Sequence, residues 1–295
     1  MMRQVVNRIL TDTNNFIING DMSIWQRGQG LAANVTTEAL GLNVYRQADR
    51  FPSYLYRNGS NLGLTFTRQS DAPAGTSLSY SMRAASNYST VFAATGTQLL
   101  SHYQRIEGTT VSQLQPGQDV WVSMYIKCSI TANIPIGLMK MNTSAFEEQS
   151  YFWNESVVAN TWKRVYKKIT LPTQAINKGI GTSFYLSAGY CSGTSSLAYN
   201  TLPGDAWHVS SNPQLRNASS TNWADTSGNW LQVTGMMMSD QPHTNFSLCG
   251  KNPYDELRLC QRYFQKSYNL DTQPGTNNDF SGNLAWAHSS VALHT

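Results

Sequence analysis

Charge is scarce in this chain: Lys, Arg, Asp and Glu make up 13% of its 295 residues, against about 25% in an ordinary soluble domain. A coiled coil or long helical bundle needs Ala, Glu, Lys, Leu and Arg at about half of all positions, so both are excluded. Long apolar runs are missing as well, and none approaches the roughly 20 residues of a membrane-spanning helix. The N-terminal Met-Met-Arg-Gln-Val-Val-Asn-Arg-Ile-Leu lacks the apolar core of about 7–15 residues that marks a secretory signal. Cysteine is limited to Cys128, Cys191, Cys249 and Cys260. With no C-x-x-C pair and no histidine at ligand spacing, they form neither a zinc signature nor a small-disulfide framework.

Recognisable catalytic strings are also absent. There is no H-E-x-x-H, no G-x-S-x-G and no G-x-x-x-x-G-K-[ST]. His102, His208, His243, His288 and His294 are scattered, so no metal site and no cofactor is expected. The net charge of +4 is spread out. The densest basic group (Lys163, Arg164, Lys167, Lys168) alternates with apolar residues as a strand would, so no nucleic-acid stripe forms.

Neutral polarity takes the place of charge, with 32 Ser, 27 Thr and 25 Asn. Eight Trp, 15 Tyr and 10 Phe supply enough apolar area for a folded chain. Short segments recur with Gly, Pro, Asn and Ser between them: 51–56, 62–68, 78–84, 98–106, 120–126, 162–171, 182–188 and 230–238. Val120, Val122, Met124 and Ile126 fall on one side of their segment, and Trp121, Ser123 and Tyr125 on the other. Likewise Val165, Ile169 and Leu171 oppose Trp162, Arg164, Tyr166, Lys168 and Thr170. The period is two, as in half-buried antiparallel strands. Eight such segments without intervening helices predict an all-β fold, an antiparallel two-sheet jelly-roll sandwich.

One helix is predicted, over 253–268. Asn252 is its cap, Pro253 its first residue, and Asp255 and Glu256 sit at its positive end. Leu257, Cys260, Phe264 and Tyr268 form an apolar stripe opposite Arg258, Arg262 and Lys266. The stripe docks either on the open end of the sandwich or on a neighbouring subunit. The chain thus divides into an arm (1–14, with the apolar stretch Val5–Leu10), a sandwich (15–250) and a helix with a C-terminal segment (251–295).

Three strings in order resemble bacteriophage and prophage tail proteins. They are Asn19-Gly20-Asp21-Met22-Ser23-Ile24-Trp25-Gln26-Arg27-Gly28, Ala48-Asp49-Arg50-Phe51, and Glu256-Leu257-Arg258-Leu259-Cys260-Gln261-Arg262-Tyr263-Phe264. Tyr103–Gly108 and Trp230–Gly235 stand where that group carries similar strands. The resemblance implies a jelly roll similar to carbohydrate-binding modules, carried on a virion and often facing the receptor at a tail fibre. In some such modules an acidic calcium ligand stands where this chain has Met22-Ser23, so no metal is carried over. Similar proteins continue with further strands after the helix. A structural role is preferred for the polar residues of these strings. Asn19, Gly20 and Asp21 suit a tight turn, with Gly accepting a positive φ, and Arg27 and Asp49 suit a pinning ion pair, with Trp25 and Arg50 in the same framework.

Sugar binding needs aromatic faces and neutral hydrogen-bonding groups. The loop-rich stretch 205–230 has both, making Trp223, Asp225, Trp207 and Asn222 the candidate ligand residues, although a tryptophan buried beneath a loop is the commoner arrangement. Trp25, Trp121, Trp162 and Trp230 read as core or sheet-face packing. The function expected is a non-catalytic virion component, a tail-fibre receptor-binding protein contacting host-surface glycan and other virion proteins, homotrimeric and assembled in the host cytoplasm. Alternatives are a purely structural head-decoration or tail-adaptor protein, or a tail-borne depolymerase, whose paired carboxylates sequence spacing does not reveal.

Overall fold

A computed structural model describes residues 14–28, 31–35, 42–44, 47–56, 62–87, 98–141, 148–192, 202–209 and 215–266. All of the expected arm except Asn14 lies outside them. The described strands begin with β1 (Leu31–Val35), β2 (Leu42–Val44), β3 (Ser53–Tyr56), β4 (Leu62–Gln69) and β5 (Ser81–Ser86). Next come β6 (Gln98–Leu100), β7 (His102–Glu107), β8 (Asp119–Cys128), β9 (Ala132–Lys140) and β10 (Gln149–Val157). The set closes with β11 (Lys163–Thr170), β12 (Thr182–Ala188), β13 (Cys191–Ser192), β14 (Trp207–Val209) and β15 (Trp230–Ser239).

A six-stranded sheet in the order β1-β4-β5-β15-β8-β11 lies against a five-stranded sheet in the order β14-β10-β9-β12-β7, and a small sheet β13-β6-β3-β2 accompanies them. Every pairing among the described strands is antiparallel. The fold is therefore the all-β, antiparallel jelly-roll sandwich that the alternation predicts. Val120, Val122, Met124 and Ile126 of β8 are fully buried in one core with Ile134, Ile136 and Leu138 of β9 and Phe184 and Leu186 of β12. Burying side chains of this size removes about 1.5–3 kcal/mol of apolar exposure each, so this shared layer holds the two sheets together.

Strands β9 and β10 escape the sequence reading because both their faces are covered. On the outer face, Met139 packs with Tyr190 and Leu215, and Leu215 lies so close to Gly137 that a Cβ there would stand 2.5 Å from Leu215 Cδ2. Alternation disappears when both faces are apolar, and Pro135 and Gly137 read as breakers. The single strand predicted over 98–106 is instead two, because the chain changes sheets at Ser101. There the Ser101 hydroxyl donates to His102 Nδ1 at 2.8 Å, while His102 Nε2–H donates to the Met82 carbonyl at 3.2 Å. Burial lowers the His102 pKa to about 4.

In β15 the core-facing parity changes midway. Leu231 and Val233 lead to Met236 and Met238, all fully buried, and the register to β8 shifts between Thr234 and Met237. Gly235 supplies the left-handed φ of 61° that such a bulge requires. Beyond it, β15 receives the segment that leads into the first string: Phe16 N–H donates to Met238 O at 2.8 Å, and Met236 N–H donates to Gly20 O at 2.9 Å.

Helix α1 (Pro253–Gln261) is capped as predicted, with Asn252 Oδ1 accepting from Tyr254 N and Asp255 N at 3.0 Å each. It is shorter than 253–268. After Gln261 the chain turns, and Phe264 leaves the expected stripe to lie, like Tyr263, against an arginine; Tyr268 falls outside the described residues. Cys260, 1% exposed, clusters with Ile18 and Ile24, flanked by Cys249, Leu257 and Leu259. The helix therefore docks on the first string of its own chain.

Candidate ligand-binding cleft

The three strings, up to 237 residues apart in sequence, meet in one buried knot. Asn19 is its centre, held at φ 58°, a conformation asparagine tolerates. Its Oδ1 accepts from Ile24 N at 2.9 Å, and its Nδ2 donates to Ile24 O at 3.0 Å and Asp49 O at 2.9 Å. Its backbone N–H donates to the Glu256 carboxylate, which also accepts from Gly250 N–H at 2.5 Å. Glu256 is 1% exposed. Burial raises its pKa, and the two backbone donors oppose that rise.

Gly20 has a different role from the one expected. Asn19 and Met22 take the left-handed φ values, while a Cβ on Gly20 would lie 2.1 Å from the Met236 carbonyl oxygen. Asp21 forms a local turn, its Oδ1 accepting from Ser23 Oγ at 3.1 Å. Trp25, 1% exposed, donates from Nε1 to Met22 O at 2.8 Å.

The pin expected between Arg27 and Asp49 is made chiefly by Gln26. Its backbone N–H donates to Asp49 Oδ1 at 3.1 Å, and its Nε2 donates to Asp49 Oδ2 and to Phe264 O, the latter at 3.0 Å. Burial raises the Asp49 pKa against these donors and against the charge of Arg27. The Arg27 guanidinium itself lies 3.9 Å over the Phe264 ring.

The knot forms one wall of a cleft of about 490 Å³. Arg27, Arg50 and Tyr263 come to it from the strings, Arg105 and Glu107 from outward positions of edge strand β7, Ile180 from the bend before β12 and Thr182 from its first residue. Arg50 is the pivot. Its φ is 75°, uncommon for a residue with a side chain and a form of strain that clusters at functional sites. Its guanidinium carbon lies 3.4 Å from the Tyr263 ring centroid, and Nη2 donates to Arg105 O at 2.8 Å. Nε is buried without a hydrogen-bond partner, and burial lowers the Arg50 pKa.

Glu107 is occupied on both oxygens, by Tyr263 Oη–H at 2.6 Å and by Arg262 Nη2 at 2.8 Å. Burial, followed by that hydrogen bond, raises the Tyr263 phenol to about 12. Sequence reasoning assigned Arg50 to structure and missed Arg105, Glu107 and Tyr263 as cleft residues. The available signal was alternation in Tyr103–Gly108, which sets Arg105 and Glu107 on the face opposite the buried Ile106.

The candidates in 205–230 do not assemble into a sugar platform. Trp223 is fully buried in the main core and donates from Nε1 to Gly189 O at 2.9 Å, so its ring offers no face to a ligand. Asn222 is used internally, with Oδ1 accepting from Ser192 N and Arg216 Nη1 and Nδ2 donating to Ser192 O. Asp225 is half-buried after the short turn Trp223–Asp225. Trp207, also half-buried, packs 5.5 Å from Tyr151 and donates to Thr170 O at 2.8 Å. Trp121, Trp162 and Trp230 are half-buried on the outer sheet face, beneath Lys168, Lys127 and Arg83.

One serine–histidine contact has the look of a nucleophile and base. Ser123 Oγ lies 2.6 Å from His243 Nε2, and His243 Nδ1 lies 2.8 Å from Ser239 Oγ. Ser239 donates its own proton to Gln241 O at 2.8 Å, so it accepts from Nδ1–H, and Nε2 accepts from Ser123. The third group is thus a neutral hydroxyl where a triad carries a carboxylate. Ser123 and His243 are 6% and 8% exposed. The contact pins the 240–244 turn to the sheet. Among the described residues, no group of three His, Cys, Asp or Glu is placed to hold a metal ion.

No protein-family model and no curated protein matches the chain. Among solved structures, it is similar to the enzymatically active domain of tailspike protein 4 from bacteriophage CBA120: 12% identity over 76% of this chain and 21% of that one, TM-score 0.38. A carbohydrate-binding and catalytic module pair of Clostridium thermocellum xylanase 10B gives 11% identity, 77% and 29% coverage and a TM-score of 0.37. A family 4 carbohydrate-binding module gives 11%, 76%, 98% and 0.33. The chain thus spans less than a third of the first two proteins, and likeness at these scores carries no functional weight.

Proposed function

We propose that this chain is a glycan-binding component of a bacteriophage virion, assembled in the host cytoplasm, and that the cleft is where it binds. The observation carrying this reading is convergence: three strings resembling phage tail proteins, distant in sequence, build one knot and together wall one cleft. Its lining is suited to sugars. Thr182 and the arginines bring hydrogen-bonding groups, and Tyr263 and Ile180 bring apolar surface. A cleft with a few convergent polar groups is the usual form of a small-ligand site.

Binding without hydrolysis fits the carboxylate inventory. Glycoside hydrolysis uses two carboxyl groups about 5–10 Å apart. Among the described residues lining the cleft, Glu107 is the sole carboxylate, and both its oxygens are engaged. In the virion the protein would serve as a tail-fibre receptor-binding subunit, as a homotrimer. Light scattering giving the mass of a single chain would overturn the trimer. Purified protein should adsorb to host cells, and soluble host-surface polysaccharide should compete it off. Protein that ignores cells but binds capsid or tail proteins is a structural adaptor, and the receptor reading is then wrong.

A further inference from the structure

The contact between Ser123, His243 and Ser239 has a consequence that does not depend on the glycan-binding reading. We infer that the turn 240–244 is an acid-released clasp, held on the outer sheet face by neutral His243 and let go when the ring takes up a proton. The partners fix where the protons lie. Ser239 Oγ–H is committed to Gln241 O at 2.8 Å, so Ser239 accepts from Nδ1–H, and Nε2 is left to accept from Ser123 Oγ–H at 2.6 Å. Among the described residues, His243 is the one hydrogen-bond partner of Ser123 Oγ, and Ser123 is 6% exposed. A second ring proton, on Nε2, would point at that hydroxyl. Ser123 would have to turn its own hydrogen away, where no acceptor waits for it.

The surroundings do not compensate an imidazolium. β11 presents Arg164 and Tyr166 to the turn, β8 and β15 present the Ser123 and Ser239 hydroxyls, and the turn itself carries Asp240. Of these, the charge that acts on the ring is Arg164, which has the same sign. Its guanidinium does not swing aside without loss, because Nη2 donates to the Thr244 carbonyl at 2.8 Å, in the turn that the ring pins. Burial first, and Arg164 with it, lowers the His243 pKa from the ordinary 6.5, against a backbone hydrogen bond at Gln241. The folded ring thus favours its neutral form. The clasp is complete above 6.5 and is lost as pH falls through the folded value. Release should stay local, since the chain beyond the turn is held separately. There Asn15 Nδ2 donates to Ser247 O at 2.8 Å, and Gly250 N–H donates to Glu256.

The test is NMR of the full chain between pH 7.5 and 4.5. It follows the His243 ring nitrogens and the exchange of the His243 amide, which donates to Tyr166 Oη at 3.3 Å. At pH 7.5 the ring should be the neutral Nδ1–H tautomer. It should protonate below pH 6.5, and amide exchange, corrected for its intrinsic pH dependence, should then quicken by at least about tenfold. The Phe16 amide, which donates to Met238 O, should keep its protection throughout. His243→Gln should abolish the acceleration at position 243. Because that variant also alters the clasp, Ser123→Ala provides a second one. With no hydroxyl hydrogen to displace, its ring should protonate at a pH higher by about half a unit or more. Thermal unfolding at pH 7.5 confirms that each variant is folded. An Nε2–H tautomer at pH 7.5 overturns the proton assignment and the clasp with it. A ring still neutral at pH 4.5 overturns the inference. So does a protonated ring with unchanged amide exchange, or the same acceleration in His243→Gln.

Discussion

Replacing Glu256 should unfasten the helix from the first string, and the cost can be worked from its contacts. The carboxylate is 1% exposed and accepts from two backbone donors, Asn19 N–H and Gly250 N–H. In Glu256→Ala both donors remain buried without partners, at about 1–3 kcal/mol each. Lost side-chain packing adds about 1 kcal/mol, while relief from burying a carboxylate returns part of the sum. The net expectation is a loss of about 3–4 kcal/mol. Glu256→Gln keeps one carbonyl acceptor but turns an NH2 group toward the other donor, and should lose about 2 kcal/mol.

The pH dependence of that loss has a definite sign. The folded pKa lies above the ordinary value of 4.5 because burial disfavours the charge. The folded state therefore holds this proton more tightly than the unfolded chain does. The stability linked to that proton is complete below 4.5 and declines as pH rises through the folded pKa. The deficit of Glu256→Gln relative to the parent should therefore be larger at pH 4 than at pH 7. Urea denaturation followed by tryptophan fluorescence measures both deficits, and hydrogen exchange at Asn19 and Gly250 locates them. A loss under about 1 kcal/mol for Glu256→Ala, with both amides still protected, would refute the account of the knot.

Gly20→Ala should lose more than about 3 kcal/mol, or fail to fold, because the new Cβ meets a backbone oxygen at 2.1 Å and overpacking against backbone has no cheap relief; an unchanged melting curve would count against it. Trp223→Ala should lose about 3–5 kcal/mol as a core truncation. Trp223→Phe should lose less, and oligosaccharide titration should find its affinity unaltered. His102 is buried neutral with a pKa of about 4 against an ordinary 6.5. Its contribution is complete above 6.5 and is lost as pH falls toward 4, about 3 kcal/mol across that window at about 1.4 kcal/mol per unit. A His102→Gln variant whose urea midpoint falls as steeply as the parent's between pH 7 and 4.5 would show that another group governs acid sensitivity.

Much of the sandwich was legible because one face of a strand met water. β8 and β11 alternate in sequence as they alternate in burial, and β12 has the bounds that sequence assigned to it. Legibility failed where that contrast vanished: β9 is apolar on both sides, and the turn at Ser101 depends on which sheet each neighbour joins. The strings themselves were readable, and so was their structural character. Their meeting was not, since Asn19, Asp49 and Glu256 are joined through backbone groups that leave no mark on residue type. For the same reason Trp223 looked like a ligand platform. Its polar neighbours serve Ser192 and Arg216 rather than solvent.

The glycine bulge in β15 has a consequence for how the cleft is placed. Everything upstream of Gly235 obeys one inside–outside phase and everything downstream the other. Met236, the first residue in the new phase, is the rung from which Gly20 hangs. Deleting one residue at that point would turn Met236 and Met238 out of the core between the sheets and slide the suspended segment by about 3.4 Å, one residue's rise, while Leu231 and Val233 stayed seated. The alignment of a cleft assembled from three remote parts of the chain thus depends on a single unpaired residue acting as its vernier.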